Sequence, residues 1–135
     1  MSGELWMLDT NAVSTFMHAR NKRLDREIAI RTKSALCIST VSYGETLYGL
    51  SIRPGATRLA AAAARLFTLV EIMAWSAEVA RRYGSLRADL RRAGKALQPL
   101  DMLIAAHAVS LGATLISSDR AFRHVPDLNV EDWTA

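Results

Sequence analysis

The chain has 135 residues, half of them hydrophobic and 22% charged, with a formal net charge of +4. That length suits one domain spanning 1–135 with a real core, and the composition excludes a disordered or low-complexity chain. The modest positive balance is compatible with a polyanionic partner such as nucleic acid, but it speaks of solubility and attraction rather than of activity.

Leu5 to Leu8 reads as a buried strand, stopped abruptly by Asp9, Thr10 and Asn11. Thr10 to His18 begins a helix, with Asn11 or Thr10 as its cap, and Arg20-Asn21-Lys22-Arg23 forms a basic turn. Leu24 to Ile30 makes a short helix of mixed charge, after which Leu36 to Ser39 is a second buried strand. The single cysteine, Cys37, lies within it and packs as a small hydrophobe, with no disulfide partner. Thr40 to Leu50 is helical up to the breaker Arg53-Pro54-Gly55, Ala56 to Phe67 is an alanine-rich helix, and Leu69 to Met73 is a third strand. From the cap Ser76 a long helix runs to about Arg92, because Val79, Tyr83, Leu86 and Leu90 share one face. Pro99-Leu100-Asp101 opens a helix that ends at Leu111-Gly112. Thr114 to Ser117 is a fourth strand, and Leu128 to Val130 a short fifth one at an edge.

Strands alternating with helices through short connections imply βαβ units, hence an α/β fold whose parallel sheet is covered on both faces. The chain starts Met1-Ser2-Gly3-Glu4, and its first apolar run ends at Asp9, unlike a secretion signal. The alanine run near Ala60 to Ala64 is bounded by Arg58 and Arg65, so no membrane span is expected and the protein is read as soluble and cytoplasmic.

Four acids carry the functional reading. Asp9 closes the first strand and Asp119 follows the fourth, so both belong to the carboxyl edge of one sheet, where open α/β folds collect their ligands. Crossover helices begin at that same edge, which brings in Asp101 and Glu45. Asp101 shares a face with Ile104, Ala105 and Ala108, and Glu45 with Val41, Tyr48 and Ile52; an inward carboxylate without a partner is costly. Four such groups would repel one another unless a cation sat between them. Oxygen-only ligation favours a hard ion, Mg²⁺ or Mn²⁺, and His18, His107 and His124 show no ligand spacing. Each acid also has a plain structural reading. Asp9 could cap a helix, Asp101 could sit at a helix N-terminus, Glu45 could close a capping box with Ser42, and Asp119 could belong to a turn.

The basic stretches offer a phosphate-binding rim, namely Arg20, Lys22, Arg23 and Arg26, then Arg81, Arg82, Arg87, Arg91 and Arg92, with Arg120 and Arg123 beside Asp119. A solvated helix face explains most of them equally well. A phosphatase or receiver with Asp9 as nucleophile is disfavoured, because Asn11 occupies the place of the second acid that phosphatase chemistry expects.

Leu8-Asp9-Thr10-Asn11, Glu45-Thr46-Leu47-Tyr48-Gly49, Pro99-Leu100-Asp101 with Ile104-Ala105-Ala106-His107, and Ser117-Ser118-Asp119 with Phe122 come in the order of PIN-domain ribonucleases. The sequence most resembles the VapC toxins of bacterial toxin–antitoxin pairs, and the likeness extends through Tyr83-Gly84, Gly112-Ala113 and Val130-Glu131-Asp132-Trp133. The resemblance implies a three-layer α/β/α sandwich with four to five parallel strands and an Mg²⁺- or Mn²⁺-dependent endoribonuclease acting on structured RNA such as tRNA. It also implies a homodimer and a VapB-like antitoxin, joined in a heterotetramer or larger type II complex. Family metal ligands map onto Asp9 and Asp101, with Glu45 and Asp119 as supporting acids. The sequence departs where Asp127 replaces a common turn glycine and where Gly44 lies inside a helix, at a cost of roughly 1 kcal/mol against alanine. The alternative is a catalytically silent PIN-like module that binds RNA or protein.

Overall fold

The computed structural model describes residues 3–135. The expectation that Met1 and Ser2 open a chain without a secretion signal lies outside those residues. Five strands, β1 (Trp6–Leu8), β2 (Leu36–Ser39), β3 (Glu71–Met73), β4 (Thr114–Ile116) and β5 (Val130–Glu131), pair in parallel in the order β3-β2-β1-β4-β5. Among the described residues six α-helices cover the sheet: α1 (Thr10–Met17), α2 (Lys22–Ala29), α3 (Thr40–Ser51), α4 (Thr57–Leu69), α5 (Ala77–Arg92) and α6 (Pro99–Leu111).

Side-chain alternation along the strands assigns the two faces. Met7, Cys37 and Leu115 pack with Val79, Leu86 and Leu90 of α5 and with the buried side of α6. Leu8, Leu36, Ile38 and Ile116 pack with residues of α1, α2 and α4. Helices on both faces explain why β2 and β4 are buried along their whole length. No helix is long and apolar enough to cross a membrane among the described residues.

Local chemistry moves several boundaries from their expected places. The Asn21 side chain accepts the Leu24 N–H, so α2 starts at Lys22 and absorbs part of the basic turn. Asp9, not Thr10 or Asn11, caps α1. Ser39 caps α3 by accepting the Val41 N–H, which leaves Ser42 and Glu45 out of a capping box. Helix α4 runs on through Leu69 and shortens β3 to Glu71–Met73. Leu128 uses its N–H to close a turn on the Val125 carbonyl, so β5 pairs only from Val130. In that turn Asp127 has φ +64, the left-handed region that explains a preference for glycine there.

Trp133 lies over the α1/α2 face and is 2% exposed. The Arg31 guanidinium carbon sits 4.2 Å from the centroids of both Trp6 and Trp133. At the other end of α2, Arg23 donates to the carbonyls of Asp132 and Ala135, and Asn21 to that of Thr134. Both ends of α2 therefore hold the segment after β5 against the sheet.

Candidate active site

The chain leaves β1 to one side, building β2 and β3, and returns on the other side with β4 and β5. The carboxyl ends of β1 and β4 consequently flank the switch point, where the two connections diverge and a crevice opens. Asp9 follows β1 directly, and Asp119 follows β4 after Ser117 and Ser118.

Asp9 is 2% exposed. Its N–H donates to the Ile116 carbonyl at 3.1 Å, and its Oδ1 accepts the Ala12 N–H at 2.7 Å. Burial pushes its carboxyl up to about 6, and the charges of Asp101 and Asp119 add to the rise, while the neighbouring Ser117 hydroxyl and the Ala12 N–H oppose it. Asp101, half-buried in the first turn of α6, is also raised, first by burial and then by Asp119. The Asp119 N–H donates to Ser117 Oγ at 3.0 Å, and its Oδ1 accepts the Ala121 N–H at 2.9 Å, capping a short 3-10 helix over Arg120–His124. Three of the four expected acids thus feel one another at a single edge.

Glu45 is not among the charges that act on Asp9 or Asp101. It is exposed on α3 and lines a groove of about 230 Å³ together with Thr10, Ser14 and His18. The expectation of an inward-facing Glu45 side of α3 is corrected, since Tyr48 and Ile52 on that side are 62% and 57% exposed. Ser42 and Thr46 are the buried residues of this helix, and the Thr46 hydroxyl donates to the Ser42 carbonyl. A hydrogen bond of 3.0 Å between the Thr10 and Ser42 hydroxyls ties the starts of α1 and α3 together, and Thr10, directly after Asp9, lines the same groove as Glu45.

Ser117 is the residue whose part the sequence did not reveal. Its hydroxyl lies between Asp9 and Asp119, and its N–H donates to the Glu131 carbonyl of β5 at 2.9 Å. The available signal was a hydroxyl at the end of a buried strand, two residues before an acid.

No basic side chain figures among the influences on Asp9 or Asp101. Repelling carboxylates without a cation suit a hard divalent ion bound through oxygen. Among the described residues no three His, Cys, Asp or Glu side chains could enclose an ion together. Such an ion would take direct bonds from one or two carboxylates and keep much of its water, as Mg²⁺ does. His107 is fully buried with Nδ1 2.8 Å from Ser39 Oγ, and burial pushes the Cys37 thiol up to about 12, which disfavours the thiolate a metal would need.

A family model for the PIN domain matches residues 6–128, which makes this a PIN-domain protein. The tRNA(fMet)-specific endonuclease VapC of Shigella flexneri is 31% identical over 96% of this chain and 98% of its own. Ribonuclease VapC2 of Rickettsia felis is 30% identical, also over 96% and 98%. The crystal structure of DNA-bound VapBC from Salmonella typhimurium superposes with a TM-score of 0.89 at 27% identity, over 97% of this chain and 99% of that one. Within the PIN-domain family, the chain belongs to the VapC ribonucleases.

Proposed function

We propose that this protein is a metal-dependent endoribonuclease that hydrolyses RNA phosphodiester bonds, with Asp9, Asp101 and Asp119 at its centre and Glu45 at the rim. The meeting of three mutually repelling carboxylates at the switch point of a PIN-domain sheet is the observation that carries this reading. Asp9 and Asp101 would hold Mg²⁺ or Mn²⁺, with Asp119 acting directly or through water. Bound there, the ion would supply a water activated near neutral pH and offset charge on the phosphoryl oxygens. The protein's own part is positioning. The Ala12 N–H fixes the rotamer of Asp9, and the Ser117 hydroxyl spaces Asp9 from the Asp119 backbone. The Asp101 carboxylate is favoured by the amino-terminal end of α6.

In the cell the protein would act as the toxin of a type II pair, as a cytoplasmic homodimer held inactive by a VapB-like antitoxin. Supporting that partner, Leu47 and Tyr48 of α3 and Ile52 directly after it are solvent-exposed apolar residues, and Ile52 lines the groove that contains Glu45. A structured RNA such as tRNA is the substrate most consistent with the relatives' names.

Incubating the purified protein with total RNA, with and without EDTA, and mapping the new ends tests the reading. Discrete cuts are expected that vanish with EDTA and return with Mg²⁺ or Mn²⁺. Cleavage unaffected by chelation, or absent with every divalent ion, overturns it.

A further inference from the structure

Between the end of α5 and the start of α6 lies a groove of about 420 Å³. Arg87, Arg91 and Lys95 line one wall, and Pro99 and Met102 of α6 form part of the other. Pro99 and Met102 bracket Asp101 in sequence, so the groove runs into the first turn of the helix that carries a proposed metal ligand.

Its basic side chains are arranged rather than scattered. Arg87 and Arg91 are four residues apart on α5 and share a face. Gly94, with φ +69, reverses the chain so that the Lys95 N–H donates to the Leu90 carbonyl at 2.9 Å. This folds Lys95 back against the last turn of α5. No acid lines the groove, and none of the three cations lies within 4 Å of a carboxylate among the described residues. Four other basic residues of the expected rim are placed differently. Arg92 pairs with Asp89 at 3.0 Å, Arg23 holds the carbonyls of Asp132 and Ala135, and Arg81 and Arg82 lie outside the groove.

Arg87 is also held in place. Its Nη1 donates to Tyr83 Oη at 2.7 Å, and its guanidinium carbon is 5.9 Å from the Tyr83 ring centroid. Tyr83 packs edge-on against Trp75 at 5.9 Å, and Trp75 Nε1 donates to the Leu103 carbonyl of α6 at 3.0 Å. The Trp75 N–H donates to the hydroxyl of Thr40, directly after β2. A chain of contacts therefore runs from the carboxyl edge of the sheet to the Arg87 fork. A guanidinium fixed beforehand loses little freedom on meeting a phosphate, which suits it to orient one.

We propose that this groove binds the phosphodiester backbone of the RNA strand beside the bond to be cut, with Arg87 as the oriented phosphate ligand and Arg91 and Lys95 as supporting charges. The proposal rests on the nuclease reading, and it adds where the substrate strand leaves the site. Contact to phosphates gives affinity without base preference.

The test measures binding of a fluorescent single-stranded RNA oligonucleotide by anisotropy, in EDTA so that nothing is cut. Wild type is compared with Arg87→Gln, Arg91→Gln, Lys95→Gln, the triple variant and an Arg81→Gln/Arg82→Gln control on the same helix. Each groove substitution should weaken binding about threefold to tenfold, and each lost contact should lower the salt slope by about 0.7. The control should bind like wild type. Tyr83→Phe keeps every charge but frees the Arg87 fork, and it should weaken binding by a smaller factor. In cleavage assays the groove variants should raise KM and leave kcat at saturating RNA near the wild-type value. A triple variant with wild-type affinity and salt slope overturns the proposal, as does a control that loses as much or a defect confined to binding of a protein partner. A wild type that binds RNA through these residues yet never cuts it defeats the nuclease reading and leaves the groove standing. Cutting with intact binding in all variants does the reverse.

Discussion

Replacing Asp9 with Asn should stabilise the metal-free protein while destroying its activity. Folded Asp9 keeps its proton up to about pH 6, whereas the ordinary carboxyl value is 3.8. Between these values the folded state binds more protons than the unfolded one, so stability falls as pH rises through the window and stays at the lower level above it. A change from 3.8 to about 6 sets a ceiling of roughly 3 kcal/mol. Asn carries no charge to bury and caps helices as well as Asp, so the Ala12 N–H keeps its acceptor. In EDTA at pH 8 the Asp9→Asn variant should melt higher than wild type by up to roughly 10 °C. The gap should close near pH 4, where both side chains are neutral. Adding Mg²⁺ or Mn²⁺ should raise the wild-type melting temperature and leave the variant's nearly unmoved. A variant that melts at or below wild type at pH 8, or a gap that persists unchanged at pH 4, would refute the argument from buried charge.

The remaining expectations concern the other acids, the tail and the buried histidine. Asp101→Asn and Asp119→Asn should each lower kcat at least a hundredfold with unchanged circular dichroism, while Glu45→Gln, at an exposed position, should lose about tenfold or less, as steady-state RNA cleavage will read. Trp133→Ala removes a buried ring packed on Trp6 and Arg31 and should cost about 3–5 kcal/mol, visible as a lower urea midpoint. Burial holds the His107 pKa below 6.5, so the folded state resists protonation there and its contribution weakens as pH falls below that value. His107→Gln should flatten that part of the stability profile in an Asp9→Asn background, where the opposing carboxyl titration is gone; an unchanged profile would show that His107 does not titrate on unfolding.

Much of the layout could be read from residue order, for reasons specific to this chain. Asp9 and Asp119 are legible because short apolar runs end sharply in front of them. Asp101 follows from Pro99 at a helix start and an apolar face through Ile104, Ala105 and Ala108, all buried as expected. Only the burial expected for the Glu45 side of α3 misleads, because apolar spacing there suggests a covered face, whereas Tyr48 and Ile52 are exposed. Periodicity reports which residues share a face but not whether another element covers it. Ser117 and the link from Trp75 through Tyr83 to Arg87 stayed hidden because they depend on contacts across the chain. The Trp6, Arg31 and Trp133 stack escaped notice for the same reason.

The sheet order has a consequence for how the molecule comes into being. Strand β1 lies in the middle of the sheet, and its register on one side, Met7 beside Leu115, waits for residues more than a hundred positions later. Joining ends across so long a stretch is slow compared with forming the local helices. A growing polypeptide therefore carries Asp9 without Ser117 or Asp119 to set against it, and the proposed centre would stay incomplete until β4 has docked. With Asp9, Asp101 and Asp119 as the proposed centre, the capacity to cut would come late in folding, after the chain through β4 has been made.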